Sequence, residues 1–174
     1  FDVRRYEGVV NGVESHNAEL GFILAYGGKP GLQSEKLYEC KMVCVMPVGH
    51  PLSSKNEITP RDLRDHHFIA LERETRLGEA TRAVFEQEGE EFNFSSEVRY
   101  GNTACALAEA GAGIAVVDPL TAYSGRFKTD VRPFVPAIPI TAYAIWSENR
   151  SLSRLARFFL DRVKEVIGEL PKDL

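Results

Sequence analysis

Two long strand-like runs constrain this chain more than any other feature in it. Leu37 to Val48 (LYECKMVCVMPV) is rich in Val and Met and ends at Pro47 and Gly49. Ile140 to Trp146 (ITAYAIW) is the second long candidate. Strands usually run about 5–6 residues, so a run as long as the first has room to leave one sheet and enter another. Strand and helix signals alternate along the chain, which favours an α/β architecture with largely parallel sheets.

The local signals are specific. Tyr6, Val9, Val10 and Val13 recur at helical spacing, and Leu20–Leu24 reads as a short buried strand. Gly27-Gly28-Lys29-Pro30-Gly31 is turn chemistry. Thr59-Pro60-Arg61-Asp62 predicts a helix start, with Thr59 at the cap, Pro60 first in the helix and Asp62 three residues after the cap. Phe68–Leu71 reads as a buried strand. Leu77, Ala80, Val84 and Glu88 then form a helical stripe that stops at Gly89. Ser96–Tyr100 reads as a strand. Asn102–Ala110 follows as an apolar helix, capped by Asn102 or Thr103 and ended by Gly111. Ile114–Val117 is a strand, Asp118-Pro119-Leu120 starts a helical turn, and Val131–Phe134 is a short segment bounded by prolines. Leu152, Leu155, Ala156, Phe159, Leu160, Val163, Val166 and Ile167 form one apolar stripe, the clearest helix in the chain.

A chain of 174 residues buries roughly 70% of its unfolded surface, so no disulfide or metal staple is needed. The net charge of −4 argues against this piece gripping a nucleic acid. Three cysteines, an odd count without framework spacing, point to reduced thiols and a cytoplasmic setting. Cys40 and Cys44 would face the same side of one strand, beyond disulfide reach. No apolar run approaches the ~18 residues of a membrane span. The opening Phe1-Asp2-Val3-Arg4-Arg5 has neither an initiator Met nor a signal-peptide pattern, so the chain reads as a fragment.

Motifs for chemistry are sparse. Gly111-Ala112-Gly113 follows a helix and precedes a strand, the reverse of a dinucleotide fingerprint, so it reads as a helix stop and tight turn. There is no P-loop, no GxSxG elbow and no zinc spacing among His16, His50, His66 and His67. His66 and His67 suit a helix C-terminus, and His50 before Pro51 suits a turn. Glu86-Gln87-Glu88 and Glu90-Glu91 read as solvated carboxylates. Nothing here indicates an enzyme, and neither cofactor nor metal is expected.

Ligand-site material is present. Helix starts at Thr75-Arg76 and at Asn102-Thr103 each follow a short strand. In open α/β sheets, ligands bind beyond the carboxyl ends of strands, where helix N-termini favour anionic groups. Capping their own helices accounts for Asn102 and Thr103 equally well.

Several runs together resemble one family, the LysR-type transcription regulators. Val45-Met46-Pro47-Val48-Gly49-His50-Pro51-Leu52 is similar to its V-x-P-x-x-H-P-L segment. Ile58–Leu63 followed by Phe68-Ile69 resembles its short helix and strand. Ala108–Pro119 is similar to its V-A-x-G-x-G-I-x-x-x-P segment, and Ala18-Glu19-Leu20-Gly21-Phe22 to its L-D-x-G-I strand. The four lie in family order, from about Val9 to the last helix.

The resemblance implies an effector-binding domain with a two-lobed, periplasmic-binding-protein-like (type 2) α/β fold. Two crossing strands would join the lobes, with a ligand cleft between them. Lobe one would comprise residues 1–46 and 140–174, and the inserted lobe two residues 47–139. A winged helix-turn-helix, a linker helix and the first strand and helix of lobe one would lie outside this sequence, leaving lobe one incomplete at its N-terminus. Carried over position by position, effector contacts fall at Tyr6, Leu24, Pro47, Thr75, Arg76, Gly101, Asn102 and Thr103. The implied partners are a small polar or anionic metabolite, a homodimer or tetramer through effector domains, and DNA only through the outlying N-terminal part. Val116–Ala122 resembles members that sense amino acids or their conjugates. A periplasmic solute-binding protein of the same fold is the alternative, and a small α/β enzyme is a third reading.

Overall fold

The computed structural model describes residues 2–24 and 28–170. The chain divides into two compact units, Phe1–Cys40 with Ile140–Leu174, and Lys41–Pro139. The first passage between them therefore falls earlier than the 46/47 boundary read from sequence. The long first run is two strands rather than one. β2 (Leu32–Lys41) starts upstream of the expected segment and belongs to a three-stranded sheet, while β3 (Val43–Pro47) belongs to a five-stranded one. The break at Met42 allows the change of sheet. Its amide donates to Ile138 O at 3.0 Å, tying the outgoing segment to the returning one.

Unit 1 holds α1 (Tyr6–Glu14), β1 (Gly21–Leu24), β2, β8 (Pro139–Ser147) and α6 (Arg154–Gly168). The sheet order is β1-β8-β2, with β8 in the centre and antiparallel to β1, Gly21 opposite Ile145 and Leu24 opposite Ala142. The helical spacing of Val10 and Val13 packs α1 on Ile23 and Ile145, with Tyr6, Val9 and Tyr143 at the margin. On α6 the apolar stripe does not turn inward as a whole. Leu160 is buried and Phe159 meets Phe22 edge-on at 5.9 Å, but Leu155, Phe158, Phe159 and Val166 are exposed. Of the predicted turn at 27–31, Gly27 lies outside the described residues, while Gly28 and Gly31 take the positive φ that a turn requires.

Unit 2 holds β3, a 3-10 turn (Pro51–Ser54), α2 (Pro60–Leu63), β4 (Phe68–Leu71), α3 (Arg76–Gln87), β5 (Ser96–Val98), α4 (Gly101–Glu109), β6 (Ile114–Val117), α5 (Pro119–Ala122) and β7 (Thr129–Pro133). The sheet order is β5-β4-β6-β3-β7. β4 is parallel to β5 and β6, as alternation of strands and helices demands, and β3 runs antiparallel to β6 and β7. The continuous apolar runs Phe68–Leu71 and Ile114–Val117 are buried at every position, the signature of strands covered on both faces. On α3 the buried residues are Gly78, Thr81, Val84 and Phe85, so the buried face is rotated from the Leu77–Ala80–Val84–Glu88 stripe. Phe68, Phe85 and Phe92 pack together, which turns Phe85 inward.

Candidate functional site

The three parallel strands of unit 2 place their carboxyl ends along one edge of the sheet. Leu71 pairs with Val98, and Ile69 with Ala115, so β4, β5 and β6 finish side by side. Each is followed by a helix start: Arg76 after β4, Gly101 after β5, Pro119 after β6. The connections are braced. The Glu72 amide donates to Val98 O at 2.9 Å, and Arg99 Nε lies 3.1 Å from a Glu72 carboxylate oxygen.

Thr75 caps α3 as its residue type predicts. Its Oγ1 accepts from the Gly78 amide at 3.0 Å and donates to Glu72 O at 2.7 Å. A hydroxyl has one proton, so Thr75 keeps only a lone pair for anything else. Arg76 follows at the exposed first position of the helix.

At α4 the sequence expectation needs correcting. The cap is Tyr100, not Asn102 or Thr103, because the Tyr100 carbonyl accepts from the amides of Thr103 and Ala104 at 3.0 and 3.1 Å. Tyr100 contributes no side-chain cap. Gly101, Asn102 and Thr103 therefore form the first turn itself, with both polar side chains exposed. Capping does not occupy these two side chains.

Asp118 closes the same edge. It follows β6 and caps α5, with Oδ1 accepting from the Thr121 amide and Oδ2 from Thr121 Oγ1, both at 2.8 Å. The residue is 6% exposed. Burial pushes its carboxyl pKa above the ordinary carboxylate range, against the opposing hydrogen bonds from Thr121 and from backbone amides. Sequence reading marked Asp118 as a helix start and missed its proximity to α4, which only the strand order creates.

Pro47 does not join this set. β3 is antiparallel to β6, with Val43 opposite Val117, so Pro47 lies toward the amino ends of β4 and β6, opposite Thr129. Its neighbours there are Gly49, whose amide donates to Asp130 Oδ2 at 2.8 Å, and His50, whose Nδ1 accepts from the Leu52 amide at 3.2 Å. His50 also meets His66 edge-on at 4.9 Å, and burial followed by the His66 charge lowers the His50 pKa. Tyr6 and Leu24 belong to unit 1. The chain turns back from α1 into β1, so Tyr6 at the helix start and Leu24 at the strand end share one end of that layer.

Unit 1 also carries a groove of about 450 Å³ between the end of β8 and α6. Arg150, Arg157 and Lys164 line it, but so do Glu35, Glu148 and Asp161, so the formal charges of its lining balance. Lys164 is already paired with Glu35 at 2.7 Å. Among the described residues no group of three or more His, Cys, Asp or Glu could hold a metal ion. Nor is any described helix long and apolar enough to cross a membrane.

Comparison with known proteins bears on this geometry. The family model described as "LysR substrate binding domain" matches residues 1–168. The chain is 29% identical over 157 residues to the "Transcriptional activator protein LysR" of Escherichia coli (strain K12), covering 90% of this chain and 50% of that protein. It thus spans about half the length of the curated relatives it matches. Among solved structures, the regulatory domain of Synechocystis PCC6803 CcmR in complex with 2-PG superposes with a TM-score of 0.76 at 19% identity. That match covers 98% of this chain and 83% of the other. The effector-binding domain of QuiR in complex with shikimate gives 0.72 at 15% identity, covering 95% and 79%. Both show the same fold.

Proposed function

This chain belongs to the LysR substrate-binding domain family, and from that membership we propose that it senses a small polar or anionic metabolite on behalf of a DNA-binding transcription regulator. The observation that carries the reading is the edge of unit 2. The starts of α3 and α4 open beside each other at the carboxyl ends of parallel strands, where open α/β sheets take their ligands. There Arg76 supplies charge, Asn102 and Thr103 supply side-chain hydrogen bonds, and Gly101 and Asn102 supply amides at the positive end of the helix dipole. Tyr6 and Leu24 are the proposed contacts in unit 1. Pro47 is omitted, because it lies at the other edge of its sheet.

Ligand would bias the equilibrium between conformations of the sensing domain, and a dimer or tetramer would pass that bias to the DNA-binding part in the cytoplasm. The resemblance of Val116–Ala122 narrows the effector to an amino acid or amino-acid conjugate. Isothermal titration of the 174-residue chain tests the reading, using a panel of small carboxylates, phosphates and amino acids that includes shikimate and 2-PG. At least one compound is expected to bind at one per chain, with affinity about tenfold weaker in Arg76→Ala or Asn102→Ala. Absence of binding across the panel overturns it.

A further inference from the structure

We propose that His50 is an acid-released latch: its neutral imidazole holds the turn between β3 and α2 in place, and a proton on that ring lets the turn go. Proton concentration is then a second input to this domain. It is read just beyond Pro47, toward the amino ends of β4 and β6 and away from the helix starts of the candidate site. The inference stands apart from the sensing role proposed above.

The latch is one hydrogen bond. His50 caps the 3-10 turn Pro51–Ser54, where its Nδ1 accepts from the Leu52 amide at 3.2 Å. Its backbone carbonyl takes the next amide, that of Ser53, at 2.8 Å. Pro51 has no amide to offer, so His50 answers both of the first donors of the turn. The Leu52 amide is part-buried and has no other partner among the described residues. An imidazole nitrogen accepts only while it carries no proton, so the bond requires the neutral ring with its hydrogen on Nε2.

A proton on His50 meets two penalties. It removes the acceptor from Leu52, and it sets a positive ring edge-on to His66 at 4.9 Å. Burial, and after it the charge of His66, accordingly hold the His50 pKa below the ordinary histidine value. The other charged groups about the turn belong to β7 and α2 or lie on the turn's own exit. Asp130 Oδ2 accepts from the Gly49 amide at 2.8 Å, Arg132 donates to Ser53 O and to Lys55 O, and Lys55 is paired with Asp62. Of all these groups, only His66 acts on the charge of His50.

The two sides of the turn therefore respond differently to acid. Arg132 keeps its grip on Ser53 and Lys55, because a guanidinium stays charged throughout the range in which an imidazole titrates. The His50 side gives way, and the Leu52 amide is left unpaired in a part-buried position. With the folded pKa lowered, the stability that His50 contributes is fully present above the unfolded value and lost as pH falls through the folded one.

The experiment follows amide hydrogen exchange and the histidine ring resonances of the 174-residue chain by NMR from pH 7 to pH 5. The Leu52 protection factor is expected to fall about fivefold to tenfold across that range, while amides of the buried strands β4 and β6 keep theirs. The fall should share its midpoint with the His50 ring, below the ordinary histidine value. His50→Asn keeps a side-chain oxygen at the cap and has no proton to gain, so it is expected to hold Leu52 protection constant over the same range. His66→Gln removes the facing charge and is expected to move the His50 midpoint to higher pH. Leu52 protection that does not change with pH overturns the inference, as does a fall of the same size in His50→Asn. A loss shared by every amide at once overturns it too, since it marks unfolding of the whole chain rather than release of one turn. If His50→Asn does not fold, the unmodified chain and His66→Gln decide: a His50 midpoint that His66→Gln leaves in place, or one that differs from the Leu52 midpoint, overturns the latch.

Discussion

Glu19 and Ser153, 134 positions apart, are joined by two hydrogen bonds that fix the start of the last helix. The Ser153 amide donates to Glu19 Oε1, and Ser153 Oγ donates to Oε2 at 2.9 Å while accepting from the Ala156 amide at 3.1 Å. One carboxylate thus holds both the cap residue and its orientation. These bonds, the amide first and the hydroxyl second, hold the Glu19 pKa below its ordinary value. Stability from a depressed carboxyl is present above the unfolded pKa and lost as pH falls through the folded one. Glu19→Ala is expected to lower the melting temperature by about 2–4 °C at pH 7. Melts from pH 7 to pH 3 should show the deficit closing in acid; a deficit constant across that range would count against the hydrogen-bond account.

Asp118 has the opposite sign. Its folded pKa is raised, chiefly by burial, so its contribution is fully present below the unfolded pKa and is lost as pH rises through the folded one. The unliganded chain should therefore gain melting temperature from Asp118→Asn at pH 8 and gain less at pH 4. A gain that does not change with pH would show that the carboxylate is not uncompensated.

Three glycines of unit 2 should respond differently to Ala. At Gly78 the new Cβ would meet Glu72 O at 2.2 Å and Leu71 O at 2.6 Å, where α3 crosses the end of β4. At Gly113, φ is +154° and Cβ would lie 2.2 Å from His67 O, the same carbonyl that accepts the Ile114 amide at 2.8 Å. Each of these substitutions should cost about 2–4 kcal/mol, since backbone must move. Gly101→Ala should be neutral or stabilising by up to about 1 kcal/mol, because a helix gains Ala and nothing clashes. Urea midpoints at unchanged slope measure all three.

On α6, Leu155 is 77% exposed and Phe158 64%. Exposed apolar side chains clustered on one helix face mark an association surface. The double variant Leu155→Ser, Phe158→Ser should reduce concentration-dependent association in sedimentation velocity. Its unfolding free energy should stay within about 0.5 kcal/mol, as expected for surface positions. Unchanged association would exclude this face as the cause.

Legibility followed how local each signal was. The Thr59–Asp62 box is complete within four residues, and Asp62 Oδ2 does accept from both the Thr59 amide and its hydroxyl at 2.9 Å. Gly111 and Gly113 were readable as a helix stop and turn for the same reason, and both have positive φ. Thr75 was readable as a cap, but its neighbour site was not: the α4 cap is a tyrosine acting through its carbonyl alone, which leaves no mark in residue type. The position of Asp118 against Gly101 depends on which strands are neighbours, and strand order is a long-range property. On α6, spacing established the helix. Which of its apolar residues are covered depends on what packs against them, so Leu155 and Val166 looked buried in the sequence and are not. Family likeness supplied the two-unit plan, and the antiparallel run of β3 then removed Pro47 from the set it had suggested.

The three-stranded sheet sets an order of events during synthesis. Its central strand is β8, so β1 and β2 have no shared partner until residues 139–147 leave the ribosome. Unit 2 is continuous from Lys41 to Pro139 and can close before that point, drawing Met42 to Ile138 as it does so. At about 5–20 residues per second, the stretch between β2 and β8 takes on the order of 5–20 s to synthesise. The inserted unit is then a folding template: by joining its own two ends it delivers the strand that completes its host.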